Sequence, residues 1–137
     1  MNTKSKGNKA EGVIIAEFIK RGYPVSLPFG DNEPYDMIAD FDGTLKKIQI
    51  KHGKTSNGCV VADIRKRIGS KRIKYESYYD KVDYIAIWCE ELDKVYIISG
   101  DMLKKTTITL RYQKPKNNLC ISTILWAKDF VIDSALI

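Results

Sequence analysis

Apolar positions in the first part of the chain recur with a helical period. At about 100° per residue, positions 9–21 gather four large apolar side chains on one arc: Ile14, Ile15, Phe18 and Ile19. Asn8 with Glu11 three positions later matches a capping box, and Gly22 follows the periodic stretch. The pattern therefore predicts a helix over residues 8–21. Glu11 lies in the middle of the apolar arc, where a carboxylate needs a partner such as a metal, unless it only caps the helix end.

The rest of the chain alternates between short apolar runs and polar turns. These runs predict strands over residues 23–28, 35–40, 45–51, 59–64, 82–88, 94–99 and 107–112. Residues 52–58 are predicted as a loop, and residues 101–105 as a helical turn. A helix followed mainly by strands indicates an α/β or α+β fold.

Asp42-Gly43 separates two of the predicted strands and is a strong signal for a two-residue hairpin turn. With that turn, Asp36 comes directly opposite Gln49, with Cβ atoms about 4.5–5.5 Å apart. Because side chains alternate along a strand, Lys51 projects from the same face as Gln49. The hairpin therefore brings a carboxylate, an amide oxygen and an ammonium group together.

This set of groups suits phosphodiester hydrolysis. A carboxylate and a neutral oxygen donor can hold a hard cation such as Mg²⁺, which activates a bound water. A neighbouring lysine can orient that water or stabilise the charge that develops on the phosphate. The alternative is that Asp36, Gln49 and Lys51 only form the solvated face of a strand.

Size and charge narrow the class of protein. The chain has 137 residues and a net charge of +6, which fits one domain over residues 1–137 with a polyanionic partner. That partner is a nucleic acid or an anionic membrane surface, although many basic proteins bind neither. No apolar run approaches the roughly 20 residues that span a bilayer, so we expect no membrane partner.

Three widely spaced cysteines indicate the compartment. Cys59, Cys89 and Cys120 are odd in number and lack CxxC spacing, which argues against disulfides and against a zinc site. Cys59 and Cys89 stand in apolar runs, so buried free thiols are expected. The sequence thus favours a reducing, cytoplasmic location.

A basic stretch follows the fourth predicted strand. Its cations are Arg65, Lys66, Arg67, Lys71, Arg72 and Lys74. Tyr75, Tyr78 and Tyr79 come next and could add hydrogen bonds. We interpret the stretch as a DNA-binding segment that contacts phosphates and could reach guanine edges. The alternative is a solvated basic face.

The ordered motifs resemble the PD-(D/E)XK nucleases. The family pattern is a helix glutamate, a hairpin aspartate and then (Asp/Glu)-x-Lys, which corresponds here to Glu11, Pro34-Tyr35-Asp36 and Gln49-Ile50-Lys51. The chain is most similar to the branch associated with group I introns, the PD-(D/E)XK homing endonucleases, through Pro28-Phe29-Gly30-Asp31-Asn32 and Val82-Asp83-Tyr84. The opening helix also resembles that of archaeal Holliday-junction resolvases.

The resemblance implies a restriction-endonuclease-like α/β fold, a central mixed β-sheet with the N-terminal helix packed on it. It implies a Mg²⁺-dependent endonuclease, with Mn²⁺ able to substitute, that cuts double-stranded DNA at specific sequences. The implied catalytic residues are Glu11, Asp36, Gln49 and Lys51, and the implied metal ligands are Glu11, Asp36 and Gln49. Gln49 departs from the usual acidic residue.

One set of catalytic residues per chain also predicts an assembly, and two other functions stay open. Cutting two strands calls for a homodimer or a dimer of dimers, acting on nucleoid DNA inside the cell. The alternatives are a structure-specific Holliday-junction resolvase and a catalytically inactive DNA-binding protein on the same fold.

Overall fold

The computed structural model describes residues 2–69, 71–103, 106–116 and 123–136, so Cys120 lies outside the described residues. The elements follow in the order α1 (Thr3–Lys20), β1 (Val25–Ser26), β2 (Met37–Phe41), β3 (Thr44–Ser56), β4 (Cys59–Asp63), β5 (Arg65–Ile68), β6 (Lys74–Ser77), β7 (Tyr84–Cys89), β8 (Lys94–Ser99), β9 (Thr107–Arg111) and α2 (Ile132–Ala135). Single 3-10 turns occupy Gly100–Met102 and Ala127–Asp129. Within the described ranges, no helix combines the length and the apolar character needed to cross a membrane.

Helix α1 begins earlier than the sequence pattern predicts. Asn2 is the N-cap, and its side-chain oxygen accepts a hydrogen bond from the backbone N–H of Ser5 at 2.9 Å. The predicted end is confirmed, because Gly22 takes a left-handed φ of 85° just after the helix. Asn8 and Glu11 therefore lie inside the helix. The alternative that Glu11 only caps the helix end is wrong, because Glu11 lies well inside α1 and the unpaired backbone N–H groups belong to the first turn.

The β2–β3 hairpin has the predicted register. Asp42 and Gly43 take left-handed φ values of 53° and 96°, and Phe41 pairs with Thr44 across them. The pairing continues to Met37 opposite Ile48. Strand β3 then runs on to Ser56, so the loop predicted over residues 52–58 is wrong. His52 and Gly53 pair with β7, and Lys54, Thr55 and Ser56 pair with β4, while Asn57 and Gly58 form the turn that follows.

Strand β3 joins two parts of a mixed sheet. Its middle pairs in parallel with β7, and β1, β2 and β8 extend this part through antiparallel pairs. Its end pairs with β4, which in turn pairs with β9. Gly53 lies where β3 passes between the two parts, and a Cβ there would come within 2.7 Å of the Ile87 side chain. Glycine is therefore required for this close approach.

Apolar side chains are buried on both faces of the sheet. On one face α1 packs Ile14 and Phe18 against Ile48 and Ile50 of β3. The other face is formed mainly by residues of β4, β7, β8 and β9. The expected mixed sheet with an N-terminal helix packed on it is confirmed, whereas Ile19, expected on the apolar arc, is 56% exposed.

The two described cysteines match the expectation of free thiols. Cys59 and Cys89 are both buried and unbridged. Burial also raises the pKa of the Cys89 thiol.

Candidate active site

Asp36 lies immediately before β2 and is held by two bonds to the facing strand. Its backbone N–H donates to the carbonyl of Ile48 at 2.9 Å. Its carboxylate accepts from the backbone N–H of Ile50 at 3.0 Å. Burial raises the pKa of Asp36, while the Ile50 N–H and the charge of Lys51 act in the opposite direction. The carboxylate is thus fixed against the strand that carries Gln49 and Lys51.

Lys51 lies in a partly desolvated position on β3. Its Nζ donates to the backbone carbonyl of Arg65 at 3.3 Å and lies 5.0 Å from the centre of the Tyr78 ring. Burial lowers the pKa of Lys51, and the charges of Asp63 and Asp36 oppose that change. The ammonium group is therefore oriented by a carbonyl, a ring and two carboxylates at once.

Gln49 lies on β3, one residue beyond the last paired position of the hairpin. Its amide nitrogen donates to the carbonyl of Ile50 at 3.3 Å. The amide oxygen is then the atom of this side chain that remains available to a ligand. An amide oxygen is a good donor to hard cations.

Glu11 approaches the same site from the helix. It lines a cavity of about 230 Å³ together with Asp36. Burial raises the pKa of Glu11, and the charge of Asp36 raises it further. Neither carboxylate takes part in an ion pair with any residue that the structure describes. Two half-buried carboxylates near one another are costly without a compensating cation.

The donor set fits a magnesium-type cation. Glu11, Asp36 and the amide oxygen of Gln49 offer hard oxygen atoms only. Across the described ranges, no cluster of three or more His, Cys, Asp or Glu side chains is arranged to hold a metal. Mg²⁺ tolerates such a set, because it commonly takes one or two carboxylates and completes its shell with water and substrate phosphate.

Comparison with the sequence patterns of known protein families identifies the family of this chain. The profile described as PD-(D/E)XK endonuclease matches residues 1–133. The chain belongs to the PD-(D/E)XK endonuclease family. Membership implies a DNA substrate, and nucleases of this family generally use divalent metal ions.

A solved structure agrees with this assignment. The nuclease is similar to the bacterial homing endonuclease I-Ssp6803I, with a TM-score of 0.79 and 25% sequence identity. The alignment covers 99% of this chain and 93% of that one. No curated protein matches the chain significantly. The expected restriction-endonuclease-like fold is therefore confirmed across nearly the whole nuclease.

Two residues beside Lys51 were not predicted to belong to the candidate site. Asp63 ends β4 and contributes charge next to Lys51. Tyr78 was expected among DNA-facing tyrosines, but that expectation is wrong, because it is buried beneath Lys51. Burial, together with the charges of Asp36 and Asp63, raises the pKa of Tyr78 to about 12. The one available signal was that Asp63 stands one residue from the end of a predicted strand (59–64), as Asp36 stands one residue from the start of another (35–40).

The predicted DNA-binding segment forms a separate two-stranded sheet, which we call the basic ribbon (β5, β6 and the turn between them). Whether a cation of the ribbon forms an ion pair depends on its position. At the base, Arg65 forms an ion pair with Asp63 at 2.8 Å and stacks on Tyr75, and Lys66 lies 3.7 Å from Glu76. Four others form no ion pair with a described residue: Arg67, Lys71, Arg72 and Lys74. Unpaired positive charge is thus concentrated at the far end.

Proposed function

We propose that this nuclease hydrolyses phosphodiester bonds in double-stranded DNA with Mg²⁺, or Mn²⁺ in its place, at specific sequences in the manner of a homing endonuclease. The whole chain acts as one nuclease domain. The observation that carries the proposal is the meeting of Asp36 and Lys51 on one hairpin, with Glu11 in the cavity beside Asp36. That arrangement combines anionic oxygen donors with one half-buried cation.

Each residue has a distinct part in the proposed reaction. Asp36, Glu11 and the amide oxygen of Gln49 would hold the cation. When bound, the cation supplies an acidified water and neutralises charge on the phosphate. Lys51 is oriented by the Arg65 carbonyl, so that its remaining N–H groups can contact the water or the phosphate. Tyr78 excludes solvent on the inner side of the ammonium group.

Sequence-specific cutting is preferred over junction resolution because the similar solved structure is described as a bacterial homing endonuclease. The unpaired cations at the far end of the basic ribbon favour a DNA substrate without choosing between the two activities, because contacts to phosphate carry no sequence information. A resolvase would act on four-way junctions whatever their sequence. A DNA-binding protein without activity would bind DNA and never nick it.

Cleavage should require the metal and the hairpin residues. Mg²⁺ should switch on cutting of a duplex library, and EDTA should abolish it. Asp36→Asn and Lys51→Ala should each reduce the rate by about 10²-fold or more, as expected when a group that stabilises transition-state charge is removed. Both variants should retain DNA binding within a few fold. Glu11→Gln should slow cutting while circular dichroism stays unchanged.

Lys54→Ala is the matched control, because Lys54 is an exposed lysine on the same strand. Its cutting rate should equal that of the parent. If Asp36→Asn and Lys51→Ala also cut at the parent rate, the assigned site is wrong.

Sequencing the library products distinguishes a homing endonuclease from a junction resolvase, since a homing enzyme yields one recurrent site. Preferential cutting of a synthetic four-way junction, with no recurrent site, would indicate a resolvase.

A further inference from the structure

Two large apolar side chains stand exposed on the loop between β1 and β2. Phe29 has a relative exposure of 106%, the highest of any large apolar residue that the structure describes, and Leu27 is 63% exposed. We call residues 27–33 the wedge loop. Contiguous exposed apolar groups on a soluble protein commonly mark an interaction surface.

The wedge loop borders the catalytic carboxylates. Leu27, Pro28 and Gly30 line the same cavity of about 230 Å³ as Glu11 and Asp36. A duplex that places a phosphate at Asp36 must therefore pass directly beside this loop. The apolar side chains are next to the reacting strand rather than on a remote face.

The loop is fixed at the end that carries the apolar groups. Ser26 of β1 pairs with Ile38 of β2, so Leu27 directly follows a paired strand residue. The ring of Pro28 fixes its own φ, and Gly30 takes a left-handed φ of 86°. Phe29 lies between these two constrained residues. The backbone on either side of Phe29 is thus constrained, and its side chain is fully exposed.

The charge of the wedge loop argues against a contact with phosphate. Asp31 and Glu33 line the cavity next to the apolar residues. Two carboxylates repel the DNA backbone, so the loop can approach a duplex favourably only through its apolar side chains. Apolar side chains contact DNA at bases, and proteins commonly insert them between base steps, which kinks the duplex.

We propose that Phe29 inserts between two base pairs beside the phosphate held at Asp36, with Leu27 supporting it, and that this kink presents the phosphate to the catalytic residues. The inference rests on the proposed nuclease function. Insertion costs unstacking energy, so its benefit depends on how readily the base step opens. A step that is already open should need no wedge.

The test uses the full chain and a duplex that it cuts, with 2-aminopurine placed at each base step near the cut. In Ca²⁺, binding of the parent should raise fluorescence at one step. Phe29→Ala should lose that increase and cut at least tenfold more slowly. Phe29→Leu should retain most of both, because leucine also serves as a wedge. Leu45→Ala is the control, since Leu45 is as exposed as Leu27 but lies outside the cavity.

A mismatched base pair at the step where fluorescence rises provides the decisive experiment. It should restore cutting by Phe29→Ala to within a few fold of the parent. A slow variant that no mismatch restores, or a parent that produces no fluorescence change, would overturn the proposal. So would a Phe29→Ala protein that loses self-association without DNA, since Phe29 would then contact a second copy. Failure of the parent to cut any duplex would instead contradict the proposed nuclease function.

Discussion

Gln49 is the residue at which this nuclease departs from the family pattern. It occupies the position where (Asp/Glu)-x-Lys usually begins, with Lys51 two residues later. Its amide nitrogen is engaged by the Ile50 carbonyl, which fixes the orientation of the amide plane. A neutral donor here reduces the negative charge of a site that already contains two half-buried carboxylates. We propose that glutamine at this position lowers carboxylate repulsion at the expense of cation affinity.

Gln49→Glu should lower the Mg²⁺ concentration needed for half-maximal cutting, because hard cations favour anionic oxygen. In the absence of metal, the added carboxylate should raise the pKa of a neighbouring carboxyl group by charge repulsion. Gln49→Leu should require at least tenfold more Mg²⁺ or lose activity. Cleavage rates across a Mg²⁺ titration check both results. If Gln49→Leu matches the parent throughout, Gln49 does not bind the cation.

The sequence predicted those residues of the candidate site that lie on a single hairpin. Asp36, Gln49 and Lys51 were placed together because Asp42-Gly43 fixes the hairpin register. Asp63 and Tyr78 approach Lys51 only after distant segments fold together. No local period or turn signal encodes that proximity. Their roles were therefore beyond the reach of sequence patterns.

At the scale of elements, α1 is tied to the C-terminal helix by one arginine. The Arg21 guanidinium binds the carboxylates of Glu17 and Asp133, each at 2.6 Å. Hydrogen bonds from Arg21 hold the pKa values of Glu17 and Asp133 below their usual range. A lowered carboxyl pKa stabilises the folded state above the unfolded pKa, and this contribution disappears as the pH falls through the folded value.

Arg21→Met should therefore lower the melting temperature at neutral pH by a few degrees, about 2–5 °C for a partly exposed network. The difference from the parent should shrink as both carboxyl groups become protonated in acid. Lys20→Met is the control, because Lys20 lies 3.3 Å from Glu17 and is more exposed. It should have a smaller effect. A deficit for Arg21→Met that is independent of pH would show that packing, and not charge, connects the helices.

The basic ribbon should control the salt dependence of DNA binding through its far end. Removing one cation that contacts a phosphate reduces the slope of log K against log salt by about 0.9. Arg67→Ala combined with Arg72→Ala should thus flatten the slope by about two units. Arg65→Ala should have a smaller effect, because its guanidinium is already bound to Asp63. Equal slopes for Arg65→Ala and Arg67→Ala would contradict this division.

The bounds of helices and strands were predicted correctly where only one sequence signal was present. Strand β8 has the predicted bounds, since an apolar run stands between clear turns. Helix α1 was predicted too short, because Asn8 and Glu11 imitate a capping box inside a helix that Asn2 caps. The basic ribbon was not recognised as a hairpin, because charge along residues 65–77 obscures the alternation. Charged strands that project from the body have no buried face to reveal them.

At the scale of the whole molecule, one catalytic set per chain calls for more than one chain. Breaking both strands of a duplex requires two reactions on strands of opposite direction. A twofold-symmetric dimer presents two sites in that relation, and a dimer of dimers repeats it. We therefore propose that the nuclease acts as a homodimer or a dimer of dimers.

Mixing the parent with excess Lys51→Ala should convert double-strand cutting of a plasmid into nicking. Mixed assemblies contain one active site, so open circles should accumulate in place of linear DNA. Gel analysis of the products reports this directly. Sedimentation at several protein concentrations measures the assembly independently. Linear product that stays in proportion to the parent alone would show that each chain cuts both strands.

The parallel pairing of β3 with β7 also sets the order in which the chain can become active. Ile48 pairs with Tyr84, which lies 36 positions further along the chain, whereas Phe41 pairs with Thr44 across a two-residue turn. Local hairpins form quickly, and closing long loops is slower. During synthesis the hairpin with Asp36, Gln49 and Lys51 is complete before β7 exists. Lys51 pairs with Ile87 of β7, so the strand that carries it gains its parallel partner only after β7 has been synthesised, and nuclease activity is among the last properties that folding confers.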